Sequence, residues 1–109
     1  MFSENKKLYG LLGLSRRAGK LILGMDAVLD AIRRRQVTLL ILATDAAPGS
    51  KRRAETTASK YGVPWCQFGT RQRFGELFSR RACAILALTD AGFAAAVQTA
   101  LTKDELKTE

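Results

Sequence analysis

The chain contains no histidine. A Ser-His or Cys-His nucleophile pair is therefore excluded, and the commonest physiological acid-base group and metal ligand is missing. Cysteine is nearly as scarce. Cys66 and Cys83 are too far apart for a CxxC motif, and both lie in apolar, strand-like runs. They read as reduced core residues. Two distant cysteines and scattered carboxylates make a poor metal-ligand set, so no metal or other cofactor is expected. No apolar run approaches the roughly 20 residues needed to span a bilayer, and the opening MFSENKKLYG has no secretory pattern. These features point to the cytoplasm. No linker, repeat or low-complexity segment divides the 109 residues. One domain over 1–109 is expected, with a core from about 4 to 102 and a frayed tail over 103–109.

Apolar residues make up 47% of the chain, enough for a real core. Lysine and arginine total 18 against 10 acidic residues, giving a net charge of +8. A small domain this basic calls for a polyanionic partner, with nucleic acid first and an anionic membrane second.

The apolar spacing predicts nine alternating elements. Leu8, Leu11 and Leu12 place a helix over about 4–17, with Ser3 as its cap and Ala18-Gly19 as its end. KLIL, residues 20–23, is a short strand. MDAVLDAIRRR is a helix with Ala27, Val28, Ala31 and Ile32 on one face and arginines in its last turn. VTLLILATD, residues 37–45, reads as a buried central strand. Pro48 starts a helix that runs to about Tyr61, where Gly62 stops it. PWCQF is the third strand, Thr70 caps a helix to about Phe78, and ACAILAL, residues 82–88, is the fourth strand. Asp90 caps a last helix to about residue 102, packed through Phe93, Val97 and Leu101. Such alternation implies an α/β/α sandwich around a four-stranded sheet.

The stretch GLSRRAGKLILG, residues 13–24, superficially resembles a phosphate loop. A Walker loop requires four residues between its glycines, but five separate Gly13 from Gly19. Leu21 follows Lys20 where a hydroxyl would be needed, and a helix precedes the loop where a strand should. The stretch therefore does not read as an NTPase loop. Asp26 and Asp30 lie i, i+4 on one helix and read as solvated surface charges beside arginines. The cations fall in clusters: Arg16, Arg17 and Lys20; Arg33 to Arg35; Lys51, Arg52 and Arg53; Arg80 and Arg81. Arg33 to Arg35 suit the negative end of their helix. Lys51 to Arg53 stand near a positive helix end, which suggests an external anion.

At this point LLGLSRRAGKLILGMDAVLDAIRR, LLILATDAAPGSKRR, YGVPW, GTRQRFGELF and ACAILALTDAGFAAAV together resemble the bacterial YlxQ family. That family is a branch of the kink-turn RNA-binding superfamily of ribosomal proteins, and the match covers roughly residues 6–102. The resemblance implies a three-layer α/β/α sandwich with a four-stranded mixed sheet, like the thirty-e ribosomal proteins. It also implies RNA binding without catalysis. In the superfamily, RNA is gripped by the turn after the first strand, the following helix start, and a loop before the last strand. Carried over, these are Gly24, Met25, Asp26, Ala27 and Asp30, with Ser79, Arg80, Arg81 and Ala82. The Asn-Glu pair usual at the helix start is here Asp26-Ala27, and the lysine one turn on is Asp30.

The residues themselves support part of this assignment. A helix start beside glycine offers N–H groups to a phosphate. The Asp26 carboxylate can accept from the Watson–Crick edge of an exposed guanine, and Met25 can pack on a base. Arg16, Arg17 and Lys20 are expected to flank that exit as a phosphate collar, with Lys51 and Arg52 contributing. The expected partner is structured RNA, ribosomal RNA or the ribosome among the candidates, with no membrane and no small-molecule substrate. A protein-binding adaptor and a substrate-binding module for an RNA-modifying enzyme are the rival readings.

Overall fold

A computed structural model describes residues 6–107, with side chains described through residue 102; the Ser3 cap falls outside these residues. Nine elements follow in the expected order: α1 (Lys6–Arg17), β1 (Leu21–Leu23), α2 (Met25–Arg33), β2 (Leu39–Leu42), α3 (Pro48–Lys60), β3 (Trp65–Gln67), α4 (Arg71–Leu77), β4 (Ile85–Leu88) and α5 (Ala91–Lys107). The strands form one mixed sheet in the order β1-β4-β2-β3. β4 is antiparallel to both β1 and β2, and β3 is parallel to β2.

The two central strands explain the three layers. Every residue of β2 and β4 is buried, and alternate side chains face opposite sides. Leu39, Ile41, Leu86 and Leu88 pack with Leu8 and Leu12 of α1, Phe74 of α4 and Val97 of α5. Leu40, Leu42, Ile85 and Ala87 pack with Val28, Leu29 and Ile32 of α2 and Ala54 and Ala58 of α3. An apolar run such as LLIL thus marks a strand covered on both faces.

The expected caps form. Thr70 Oγ1 accepts from the N–H of Arg73 at 3.1 Å, the Asp90 carboxylate accepts from the N–H of Phe93 at 2.9 Å, and Pro48 opens α3. Four expectations need correction. Ala27 is exposed and Leu29 is buried in its place, because the buried face runs over 28, 29, 31 and 32 and 27 lies just outside its edge. α5 continues through Lys107 rather than ending near 102; Lys103, Glu105, Leu106 and Lys107 favour helix, and neither glycine nor proline stops it. The long apolar runs also overreach their strands. β2 begins at Leu39, although the N–H of Thr38 still donates to Leu88 O at 2.7 Å and its hydroxyl lies within reach of the Leu88 and Asp90 carbonyls, and residues 82–84 belong to the approach to β4. Cys83 is accordingly buried outside the strand, while Cys66 lies half-buried on β3. Both are free thiols. Burial pushes the Cys66 thiol up to about 11, so it is protonated at neutral pH.

Candidate nucleic-acid interface

The register decides which loops meet. Leu23 pairs with Leu86, Leu42 with Ile85, and Leu42 with Gln67. The exits of β1, β2 and β3 and the approach to β4 therefore share one end of the sheet. Three helices start there: α2 after Gly24, α3 after Ala47 and α4 after Thr70. Three positive helix ends at one pole form a field that favours an anion.

Gly24 makes the first of these turns. Its φ is +97°, a region that side-chain-bearing residues avoid. Its N–H donates to Ile85 O at 2.9 Å, which fastens the β1 exit to β4, and no side chain caps α2. The first-turn N–H groups of α2 are thus left for an outside acceptor. Asp26 is exposed in that turn. Met25 is half-buried against the α2–α3 side of the core, so only part of its side chain is presented outward. Asp30 pairs with Arg34 at 3.0 Å, both exposed, a surface contact worth a few tenths of a kcal/mol.

The loop before β4 is built on α4. Ser79 adopts a left-handed φ of +58°. That turn lets the N–H of Arg80 donate back to Gly75 O at 2.7 Å, the long hydrogen bond of a Schellman helix ending. Gly75 is a close-approach site: a Cβ there would lie 2.8 Å from Arg80 O and 2.9 Å from Arg81 O. The backbone of 80–82 rests directly on the helix, with Arg80 and Arg81 exposed.

Buried Cys83 shows that this loop and the Gly24 turn are neighbours. Burial pushes its thiol up; the backbone of Ile85, the Arg80 guanidinium, the backbone of Gly24 and the Arg16 guanidinium oppose that rise. Arg16 also lies over the Phe78 ring, 5.4 Å from its centroid. Arg16 and Arg17 line a depression that Phe78 and Ser79 close on the other side.

Lys51 belongs to the same pole. Its Nζ donates to Gln67 Oε1 at 3.2 Å and approaches Thr44 O at 3.4 Å. Arg52 is exposed in the same first turns of α3. The expected collar is incomplete, because Lys20 lies at the opposite end of β1. Its carbonyl accepts from the N–H of Thr89, beyond the Leu21–Leu88 pair. Four residues of extended chain, roughly 13 Å, separate it from Gly24. A three-residue strand is long enough to put its two ends on opposite poles of the sheet.

Arg71 was missing from the sequence-derived set. It is the first residue of α4, and the Asp45 carboxylate accepts from its N–H at 2.8 Å and lies 3.7 Å from its guanidinium. The signal was present in Thr70: a cation directly after a helix cap stands at the positive helix end, the same misfit that marks Lys51 to Arg53. Among the described residues, no group of three or more His, Cys, Asp or Glu side chains could hold a metal ion, and no helix is long and apolar enough to cross a membrane.

Two annotated relatives carry the name RNA-binding protein YlxQ. The one from Bacillus subtilis is 33% identical over 86 residues, 79% of this chain and 86% of its own length. The one from Enterococcus faecium is 28% identical over 91 residues, 84% and 87%. A solved Bacillus halodurans protein of unknown function superposes with a TM-score of 0.82 at 32% identity, covering 91% of this chain and 99% of its own. The Giardia lamblia 15.5kD RNA binding protein shares the fold, with a TM-score of 0.75 at 18% identity over 97% and 92%. Residues 6–98 match the ribosomal protein L7Ae/L30e/S12e/Gadd45 family, and the chain is a member of that family, on its YlxQ-like bacterial branch.

Proposed function

We propose that this protein is a non-catalytic, cytoplasmic RNA-binding protein that grips structured RNA, a kinked internal loop of the ribosomal type, with the pole where α2, α3 and α4 begin. One observation carries the reading. Lys51, Arg52 and Arg71 collect at helix starts, where the dipoles disfavour cations, and Arg80 and Arg81 stand exposed on the loop beside them. An external polyanion resolves that conflict, and the names of the two YlxQ relatives give the same partner class.

Phosphates lie on the α2 start and along the arginines, which position the RNA. Asp26 reads an exposed base edge beside them. Because aspartate replaces asparagine and Ala27 replaces glutamate, the preferred loop differs from that of a standard kink-turn. The test is a titration series with kinked, bulged and plain duplex RNAs of equal length. Neutralising about five phosphates makes affinity fall on the order of 100-fold between 50 and 200 mM salt. Asp26→Ala changes the ranking among the three RNAs. A flat salt response moves the assignment to a protein adaptor, whose capture from lysate survives ribonuclease; an equal shift on all three RNAs removes Asp26 as the base reader.

A further inference from the structure

The outward face of α1 carries an open depression of about 660 Å³, lined by Tyr9, Gly10, Gly13, Leu14, Arg17 and the Leu77–Ser79 segment, with Arg16 on its rim. This volume lies within the roughly 300–1,000 Å³ typical of small-ligand clefts. Gly10, Gly13, Leu14 and Arg17 follow the i, i+3, i+4, i+7 spacing of one helix face. Leu14 is 49% exposed, whereas Leu8 and Leu12, on the other face of α1, fill the core. A Cβ at Gly10 or at Gly13 would meet nothing within 4 Å. Neither glycine is explained by packing inside the chain, and each disfavours the helix interior relative to alanine. The floor is therefore bare helix backbone beside an apolar side chain, and the rim is cationic.

We propose that this depression holds an unpaired nucleobase of the RNA, immediately beyond the segment bound at the α2–α4 pole. The inference rests on the RNA-binding reading and extends it to a second contact. Charge and continuity select this occupant. Arg16 and Arg17 are placed for the phosphates on either side of a flat base. Ser79 belongs both to the depression and to the loop that presents Arg80 and Arg81. The base lies against Leu14 and the glycine backbone, an apolar contact that tolerates any sequence, as stacking platforms for single strands do.

The experiment compares a kinked-loop RNA with the same RNA carrying a six-uridine single-stranded extension. On the wild-type chain the extension tightens binding about fivefold or more, the low end of what one stacked base contributes. Gly10→Leu with Gly13→Leu fills the depression, and Leu14→Glu places an anion in it; each erases that gain and leaves the affinity for the unextended RNA within about twofold. Gly10→Ala with Gly13→Ala raises the thermal midpoint, which separates occupancy from folding. An extension that adds nothing, or a gain that survives both blocking variants, overturns the proposal. Loss of binding to the unextended RNA in the wild type defeats the RNA-binding reading instead, and the depression then stands only if the uridine strand alone binds and the blocking variants abolish it. Sedimentation covers the remaining occupant: a dimer that the filled variant dissociates assigns the depression to a second copy and overturns the proposal.

Discussion

The two ends of the sheet carry the same sign of charge for opposite reasons. At the end where α2 and α3 finish, Arg33 and Lys60 lie in the last turns of their helices. Arg34 pairs with Asp30, and Arg35 and Lys60 both approach the Tyr61 ring, at 5.3 and 5.9 Å. These cations are satisfied inside the molecule by helix C-termini, a carboxylate and an aromatic face. At the end where α2, α3 and α4 begin, Lys51, Arg52 and Arg71 stand against the dipoles. Counting arginines would rank the two ends alike. Asking which helix terminus each one faces separates cations that match a helix dipole from cations that oppose one.

The largest expected effect tests that separation directly. Lys51→Ala, Arg71→Ala, Arg80→Ala and Arg81→Ala combined should weaken structured RNA by more than about 100-fold, since charge-assisted contacts each contribute on the order of 1 to 3 kcal/mol. Lys20→Ala, Arg33→Ala and Lys60→Ala combined remove nearly as much charge from the other end and should cost less than about threefold. Equal losses in the two variants, measured at one salt concentration, would mean that net charge alone governs binding and that the poles do not differ.

A smaller effect sharpens how the end where α2, α3 and α4 begin is built. Gly75→Ala drives a methyl group into the carbonyls of Arg80 and Arg81. Overpacking of this kind costs roughly 1–3 kcal/mol, which lowers the thermal midpoint by roughly 5–15 °C in a domain of this size. RNA affinity should fall about tenfold at temperatures where the variant is still folded, because Arg80 and Arg81 move together. A lowered midpoint with unchanged affinity would detach the 79–82 loop from the site.

The smallest effect compares one residue at each end. Ser79 and Arg35 both hold a left-handed backbone, at φ +58° and +61°, which costs an L-residue roughly 1–2 kcal/mol relative to the right-handed region. Ser79→Gly should raise the thermal midpoint by a few degrees. Arg35→Gly removes the same strain and also the contact with Tyr61, worth roughly 0.5–1 kcal/mol, so its midpoint should barely move. Calorimetry showing equal gains would mean that the Tyr61 contact contributes nothing.

Much of this was legible in the chain. LLIL marked a strand buried on both faces, because only such a strand can dispense with polar residues altogether, and ILAL, read only as a strand, is buried in the same way. Thr70, Asp90 and Pro48 fixed three helix starts through local hydrogen bonding and a preset φ. The site was legible only in pieces. Lys20 looked like a neighbour of Gly24 because four residues are a short distance in sequence, yet in an extended strand they span the sheet. Arg71 was overlooked although its place directly after the Thr70 cap marked it, because it stands alone rather than in a cluster of cations. Leu14, Gly10 and Gly13 offered no pattern until α1 had a buried face to be opposite to.

Sequence alone determined the element order, the caps, one buried central strand and the excess of positive charge, since each follows from composition or from interactions among residues a few positions apart. Tertiary structure decided which charges meet. β4 runs antiparallel to both β1 and β2, and that register carries the loop at 79–82 to the exit of β1, more than fifty residues away in the chain. A strand's direction in a sheet depends on which neighbours bury its two faces, and no window of sequence contains that information.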